Sequence, residues 1–169
     1  ILDGEGRPLG DGEIGEIAIR GDIVIKEYWN RAEATAETVI GGWLHTGDVG
    51  YSDADGFYFV HDRIKDRSGS GGEKVYPAEG ESAIRCGPGV ADVAVSGVPD
   101  DKWGEAVHAV VVLHQGQQLS EAELIDWCRG RMAGYKRPQS VRFVADPEMP
   151  RTATGKVQRH KLRELLQRS

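Results

Sequence analysis

The segment Ala106-Val107-His108-Ala109-Val110-Val111-Val112-Leu113 constrains the fold more than any other stretch of this chain. Its run of β-branched residues is the strongest strand signal present. A second strand is expected over residues 91–98 and a third over residues 141–144. Helix signals surround them. Pro77, at the favoured first position, opens a helix reaching to about residue 85. Ser120 caps a helix that should run from Glu121 to about Met132, with Glu123 in the capping-box position. A last helix is expected from about Gln158 to Leu166. Residues from about 66 to 169 are therefore expected to form one α+β unit.

The first part of the chain has a different character. Residues 13–20 alternate apolar and polar side chains, as a half-buried strand does. Gly21-Asp22 should make a turn, after which Ile23-Val24-Ile25 resumes a strand. Asn30 can cap a short helix over residues 31–38, which Gly41-Gly42 would end. Residues 48–51 and 56–60 flank Ser52-Asp53-Ala54-Asp55, a hairpin signature with Asp-Gly turn chemistry. Residues 1–64 are thus expected to be a small β-rich subdomain. Arg67-Ser68-Gly69-Ser70-Gly71-Gly72, taken alone, reads as a flexible linker between the two parts. The fold class expected for the whole is α+β.

Composition narrows the function classes. The 169 residues carry a net charge of −6, which argues against nonspecific binding of nucleic acid. No apolar run approaches the roughly 18 residues of a transmembrane helix, and no signal-like segment is visible. A cytoplasmic location is expected, compatible with a parent protein that sits peripherally on a membrane. Cys86 and Cys128 make no disulfide framework, and the five histidines show no metal-ligand spacing. No protein-built metal site is expected. The charge is uneven, however. Arg151, Lys156, Arg159, Lys161, Arg163 and Arg168 face Glu164 alone after residue 150. Such a run is either a solvated helix face or a surface that meets phosphates.

Several residues could carry chemistry. Asp48, after Thr46-Gly47, could cap turn amides, or its two oxygens could accept the vicinal hydroxyls of a ribose. Arg63 could bridge ribose and phosphate, or pair with Asp62 or Asp66. The glycines of Gly71-Gly72-Glu73 would permit close approach of a ligand, though no GxxxxGK[ST] or GxGxxG phosphate cradle is present. Lys156 sits at the tip of Thr152-Ala153-Thr154-Gly155-Lys156, and Gly155 would let that turn fold tightly.

In this order and spacing, Gly42-Trp43-Leu44-His45-Thr46-Gly47-Asp48, Asp62-Arg63-Ile64-Lys65-Asp66 and Met149-Pro150-Arg151-Thr152-Ala153-Thr154-Gly155-Lys156-Val157-Gln158-Arg159 resemble the C-terminal part of the adenylate-forming enzymes. That superfamily holds acyl-CoA synthetases, luciferases and peptide-synthetase adenylation domains. The resemblance extends from about Glu13 to about Leu166. It implies a piece of an ATP-dependent acid–thiol ligase, of the fatty-acid–CoA ligase type, whose large N-terminal part is missing. Val75-Tyr76-Pro77-Ala78-Glu79 favours the CoA ligases over peptide-synthetase domains.

By this resemblance Asp48 and Arg63 contact the nucleotide, Lys65 is the hinge of a mobile C-terminal lid spanning 65–169, and Gly71 and Gly72 line the pantetheine channel. Lys136 or Arg137 could meet CoA phosphates. The resemblance makes Lys156 the expected catalytic residue. Its ammonium would bridge the carboxylate and an α-phosphate oxygen, relieving the repulsion between two anions. The implied ligands are a carboxylic acid, ATP with its Mg2+ held mainly by the absent part, and CoA. The chain alone is expected to be inactive. An enzyme that loads a carrier protein, and a noncatalytic lid, are the alternatives.

The chain departs from the family pattern at one place. Arg67-Ser68-Gly69 stands where an apolar triplet is usual, Lys74 where asparagine is common, and Gly80 where an aliphatic residue is usual. The stretch is expected to be disordered or displaced, or to have been altered for solubility. These departures bear on thiol delivery more than on nucleotide contact.

Overall fold

The computed structural model describes residues 1–167, so Arg168 lies outside the described residues. The chain divides into two compact units, Ile1–Lys65 and Asp66–Ser169. Mixed helices and mostly antiparallel sheets make it α+β.

The first unit is built on one long strand. β1 (Gly15–Ile19) lies antiparallel to β3 (Trp43–Ser52) along one edge. β2 (Val39–Ile40) and β4 (Tyr58–Arg63) share its other edge, one at each end. The helix α1 (Ala32–Thr38) precedes β2. Gly41 and Gly42, at φ 59° and 80°, make the two-residue turn between β2 and β3, since a turn with positive φ at both positions matches strand twist. Two expectations fail here. Residues 23–25 form no strand: Val24 N–H turns back to the Gly21 carbonyl and Ile23 is 90% exposed, with no neighbouring strand to pair with. Asn30 does not cap α1, because its backbone is left-handed at φ 54° and the cap position falls on Arg31. Val49 is the one buried hydrophobic residue of this unit among the described residues.

The second unit is three-layered. Its sheet runs in the order β6 (Glu73–Val75), β5 (Ser68–Ser70), β8 (Gly104–Leu113), β7 (Val90–Asp100), and β9 (Ser140–Phe143) pairs parallel to β8. Side chains alternate across it, as the two-residue period of a strand demands. Val93, Val95, Val107, Ala109 and Val111 join Ile84 of α2 (Pro77–Arg85) and Leu124 of α3 (Glu121–Cys128) in one core cluster. Ala94, Val110 and Val112 meet Leu162 of α4 (Arg159–Gln167) in the other. Burial on both faces is why β8 reads as an almost unbroken apolar run rather than an alternating one.

The cap at Ser120 forms as a full capping box. The helix it starts ends at Cys128, not near Met132, because Arg129 is extended and Gly130 turns left-handed at φ 76°.

The stretch over residues 67–72 is neither a linker nor displaced. It is an antiparallel hairpin, with Ser68 facing Val75 and Ser70 facing Glu73 across the positive-φ turn at Gly71 and Gly72. Ser68 and Ser70 are buried, at 2% and 4% exposure. A two-glycine turn between short polar strands has the composition of a linker and the geometry of a hairpin.

Gly80, inside α2, has room for a methyl group. An added Cβ would rest 3.5 Å from the Val95 side chain, an ordinary contact. Gly80→Ala is therefore expected to stabilise the fold by about 1 kcal/mol through helix propensity, read as a rise in the thermal unfolding midpoint.

Candidate functional site

Two groups of the singled-out residues take shape, one in each unit. In the first, β3 and β4 pair so that Asp48 stands opposite Arg63. The Arg63 Nε lies 3.0 Å from an Asp48 carboxylate oxygen, so the two form an ion pair across the strands. Asp62 instead accepts the Arg63 backbone N–H at 2.8 Å. The approach to Asp48 is pegged from β1. Thr46 Oγ1 donates to the Ile17 carbonyl at 2.7 Å and accepts the Asp48 N–H at 3.1 Å. Glu16 takes the Gly47 N–H at 3.1 Å and lies 2.7 Å from the His45 ring. The result is a half-exposed carboxylate on a fixed strand beside a largely exposed guanidinium. Together they offer acceptors for hydroxyls and a planar donor for an anion.

In the second unit, Lys156 stands on a closed loop. Arg151 and Val157 bridge at its base, Thr152 N–H donates to the Lys156 carbonyl at 2.8 Å, and Gly155 N–H returns to Thr152 at 2.9 Å. Gly155 closes the turn at φ 84°. The Thr152 hydroxyl accepts the Lys156 N–H at 3.1 Å. Lys156 is exposed, and lines a groove with Asp66, Gln158, Arg159, His160 and Arg163.

Sequence reasoning did not find what holds this loop. Arg151 reaches Asp92 at 2.6 Å and Asp146 at 3.0 Å, which raises its pKa, the bond to Asp92 contributing most. Arg159 is turned inward onto Glu81 and Asp66. Two of the basic residues that a charge count assigns to a phosphate-facing surface are thus structural pins. Sequence spacing carried no signal for this, because nothing local tells which way an arginine at a loop stem points.

Gly71 and Gly72 form a hairpin tip. Gly71 N–H donates to the Trp103 carbonyl at 3.0 Å, and a Cβ at Gly71 would come 3.1 Å from the Trp103 ring. Lys136 is paired with Glu79 at 2.5 Å, and that hydrogen bond raises its pKa. Its charge is therefore largely matched within the fold. Gly71, Gly72 and Lys136 are not among the residues lining the Lys156 groove. Lys65 is exposed in a short 3-10 turn, Ile64–Asp66, and is the last residue of the first unit.

The chain thus carries a lysine-tipped Thr/Gly loop on an α+β unit and, before it, a β unit with an Asp–Arg pair. Residues 79–156 match the family described as the AMP-binding enzyme C-terminal domain. It is 44% identical over 164 residues to a fatty acid–[acyl-carrier-protein] ligase of Streptomyces coeruleorubidus, covering 97% of this chain and 31% of that protein. A feruloyl-CoA synthase from an Amycolatopsis species is 48% identical over 158 residues, covering 94% of this chain and 32% of the synthase. Among solved structures, ATP-bound MatB from Rhodopseudomonas palustris superposes with a TM-score of 0.91 at 40% identity, over 97% of this chain and 32% of that one. The chain therefore spans about a third of the length of the relatives it matches. No described helix is long and apolar enough to cross a membrane.

Proposed function

We propose that this chain forms the C-terminal portion of an ATP-dependent acid–thiol ligase that activates a carboxylic acid as acyl-AMP and passes the acyl group to CoA. The observation that carries this is Lys156, an exposed lysine on a loop whose two stems are pinned by arginine–carboxylate pairs. Adenylation joins two anions, the attacking carboxylate and the α-phosphate of ATP, with pyrophosphate leaving. A fixed ammonium between them offsets their repulsion and stabilises charge in the transition state. Asp48 would take the ribose hydroxyls, and Arg63, already oriented by Asp48, would meet ribose or phosphate. Mg2+ would accompany ATP and be held mainly by the rest of the enzyme.

Thiol transfer needs a different environment from adenylation. Gly71 and Gly72 expose a Cβ-free tip suited to a narrow pantetheine arm. Lys136 would add to CoA phosphate binding from within its Glu79 pair. In this proposal residues from Lys65 onward form a mobile lid that pivots at Lys65 between the two half-reactions. The exposed Phe57, Tyr58, Phe59 and Val60 of the first unit fit a surface covered by the remainder of the ligase.

The acid is proposed to be a fatty acid, with an aryl acid as the alternative, since the relatives above are named for fatty and feruloyl substrates. The carrier-protein ligase among them supports a second reading, in which the acceptor thiol belongs to a phosphopantetheinyl carrier. The test is turnover of the full-length enzyme with fatty and aryl acids, ATP and either thiol acceptor. AMP and thioester formed with CoA support the first reading, and thioester formed only on the carrier supports the second. The 169 residues alone are expected to give no turnover. No acid-dependent release of AMP or pyrophosphate from the full-length enzyme would contradict both readings.

A further inference from the structure

The Lys156 loop leads directly into α4, whose first residue is Arg159. That side chain is only 18% exposed and touches three other elements of the second unit. Its Nη1 donates to Glu81 Oε1 on α2 at 2.8 Å and to the Val95 carbonyl on β7 at 2.6 Å. Its Nε reaches Asp66 Oδ2 at 3.2 Å. Glu81 Oε1 also accepts the Val95 N–H at 2.9 Å, so the carboxylate ties α2 and β7 together where the guanidinium binds. Arg159 is thus the common partner of the edge strand β7, of α2 and of the first residue of the second unit. Asp66 directly follows Lys65, and also lines the groove that holds Lys156.

We propose that Arg159 is a positioning residue that locks the Lys156 loop to Asp66, so that a movement at the neighbouring Lys65 carries the lysine with it as one rigid piece. This inference rests on the adenylation role proposed above for Lys156. The physical reasoning is that a lysine has a long flexible stem, and its backbone must be placed closely for the ammonium to meet a transition state. A planar guanidinium with several donors in a fixed fork can hold three acceptors at once, which an ammonium does less well. Partly buried, these charge-assisted bonds are shielded from competition with water. Arg151 pins the other stem of the loop to Asp92. Arg159 differs from it in one respect: its carboxylate partners include the residue beside the proposed hinge.

The test compares Arg159→Ala, Arg159→Lys, Asp66→Asn and Lys156→Ala in the full-length enzyme. Three quantities are read: acid-dependent ATP–pyrophosphate exchange, transfer from supplied acyl-AMP to the thiol acceptor, and the thermal unfolding midpoint. Arg159→Ala and Asp66→Asn are expected to lower kcat of exchange about 10- to 100-fold, the scale of a small misplacement of a catalytic group. The KM for ATP should stay within about twofold, because ground-state binding is not touched. Arg159→Lys should recover part of the loss. Transfer should fall far less than exchange. Normal exchange in Asp66→Asn, a near-isosteric change, overturns the proposal, as does a parallel loss of exchange and transfer in Arg159→Ala that follows its unfolding midpoint. In both cases the adenylation role of Lys156 still stands if Lys156→Ala abolishes exchange. Exchange that survives Lys156→Ala overturns the adenylation role and this inference with it.

Discussion

Alanine at Lys156 in the full-length enzyme is expected to slow acid-dependent ATP–pyrophosphate exchange by about 10²- to 10³-fold, the usual consequence of removing one preorganised charge from a transition state. The loop itself should persist. Its base is closed by backbone bonds at Arg151, Thr152 and Val157, and both arginine pins remain. Loss should therefore fall on kcat, with ATP binding little changed. Transfer from supplied acyl-AMP should remain near the unmodified rate, because by then the phosphoanhydride chemistry is over. An equal loss in both half-reactions would move Lys156 out of adenylation and into a general structural role.

Gly97→Ala is expected to destabilise the fold strongly. A Cβ built on Gly97 would lie 2.2 Å from the Ser68 hydroxyl and 2.6 Å from the Ser68 Cβ, closer than any real contact. Gly97 sits in the buried strand β7, and Ser68 in β5 is 2% exposed, so neither can move away freely. Overpacking of this kind costs about 1–3 kcal/mol or more. A Ser68→Gly change in the same chain removes both clashing atoms and should restore much of the loss, which a double-mutant cycle in urea would show. Ser68→Ala alone should act in the opposite sense. The Ser68 hydroxyl is buried without a hydrogen-bond partner, so deleting it should stabilise by about 1 kcal/mol. Destabilisation by Ser68→Ala would mean that the hydroxyl is satisfied in solution.

What the sequence made legible follows from how local each signal is. The capping box at Ser120 and the proline start at Pro77 are written in neighbouring residues, and both helices begin there. β8 was legible because burial on both faces leaves it almost wholly apolar, and β7 because its valines recur among few polar residues. Ile23-Val24-Ile25 has the same local character but lacks a partner strand, and pairing is a tertiary fact. The hairpin at Gly71-Gly72 was hidden by the opposite effect, since small polar residues there are held by the sheet rather than by their own propensity. In the candidate site, Asp48 and Arg63 were visible as separate residues. That they face each other depends on a register shift between Val49 and Gly50 in the β3–β4 pair, and no spacing rule gives that. The Arg159–Asp66–Glu81 cluster joins residues far apart in sequence, so it emerges only in three dimensions.

The proposed lid must serve two half-reactions from one hinge, and proline at Lys65 tests this most directly. Proline fixes φ near −65° and removes the freedom a pivot requires. The measurement is the rate of each half-reaction, exchange and transfer, in the full-length Lys65→Pro enzyme. With a pivot at Lys65, one half-reaction stays within a few-fold of normal while the other falls by at least about tenfold, as expected when conformational gating is blocked. Two unchanged rates, or two rates lowered by the same factor, would contradict a pivot at Lys65.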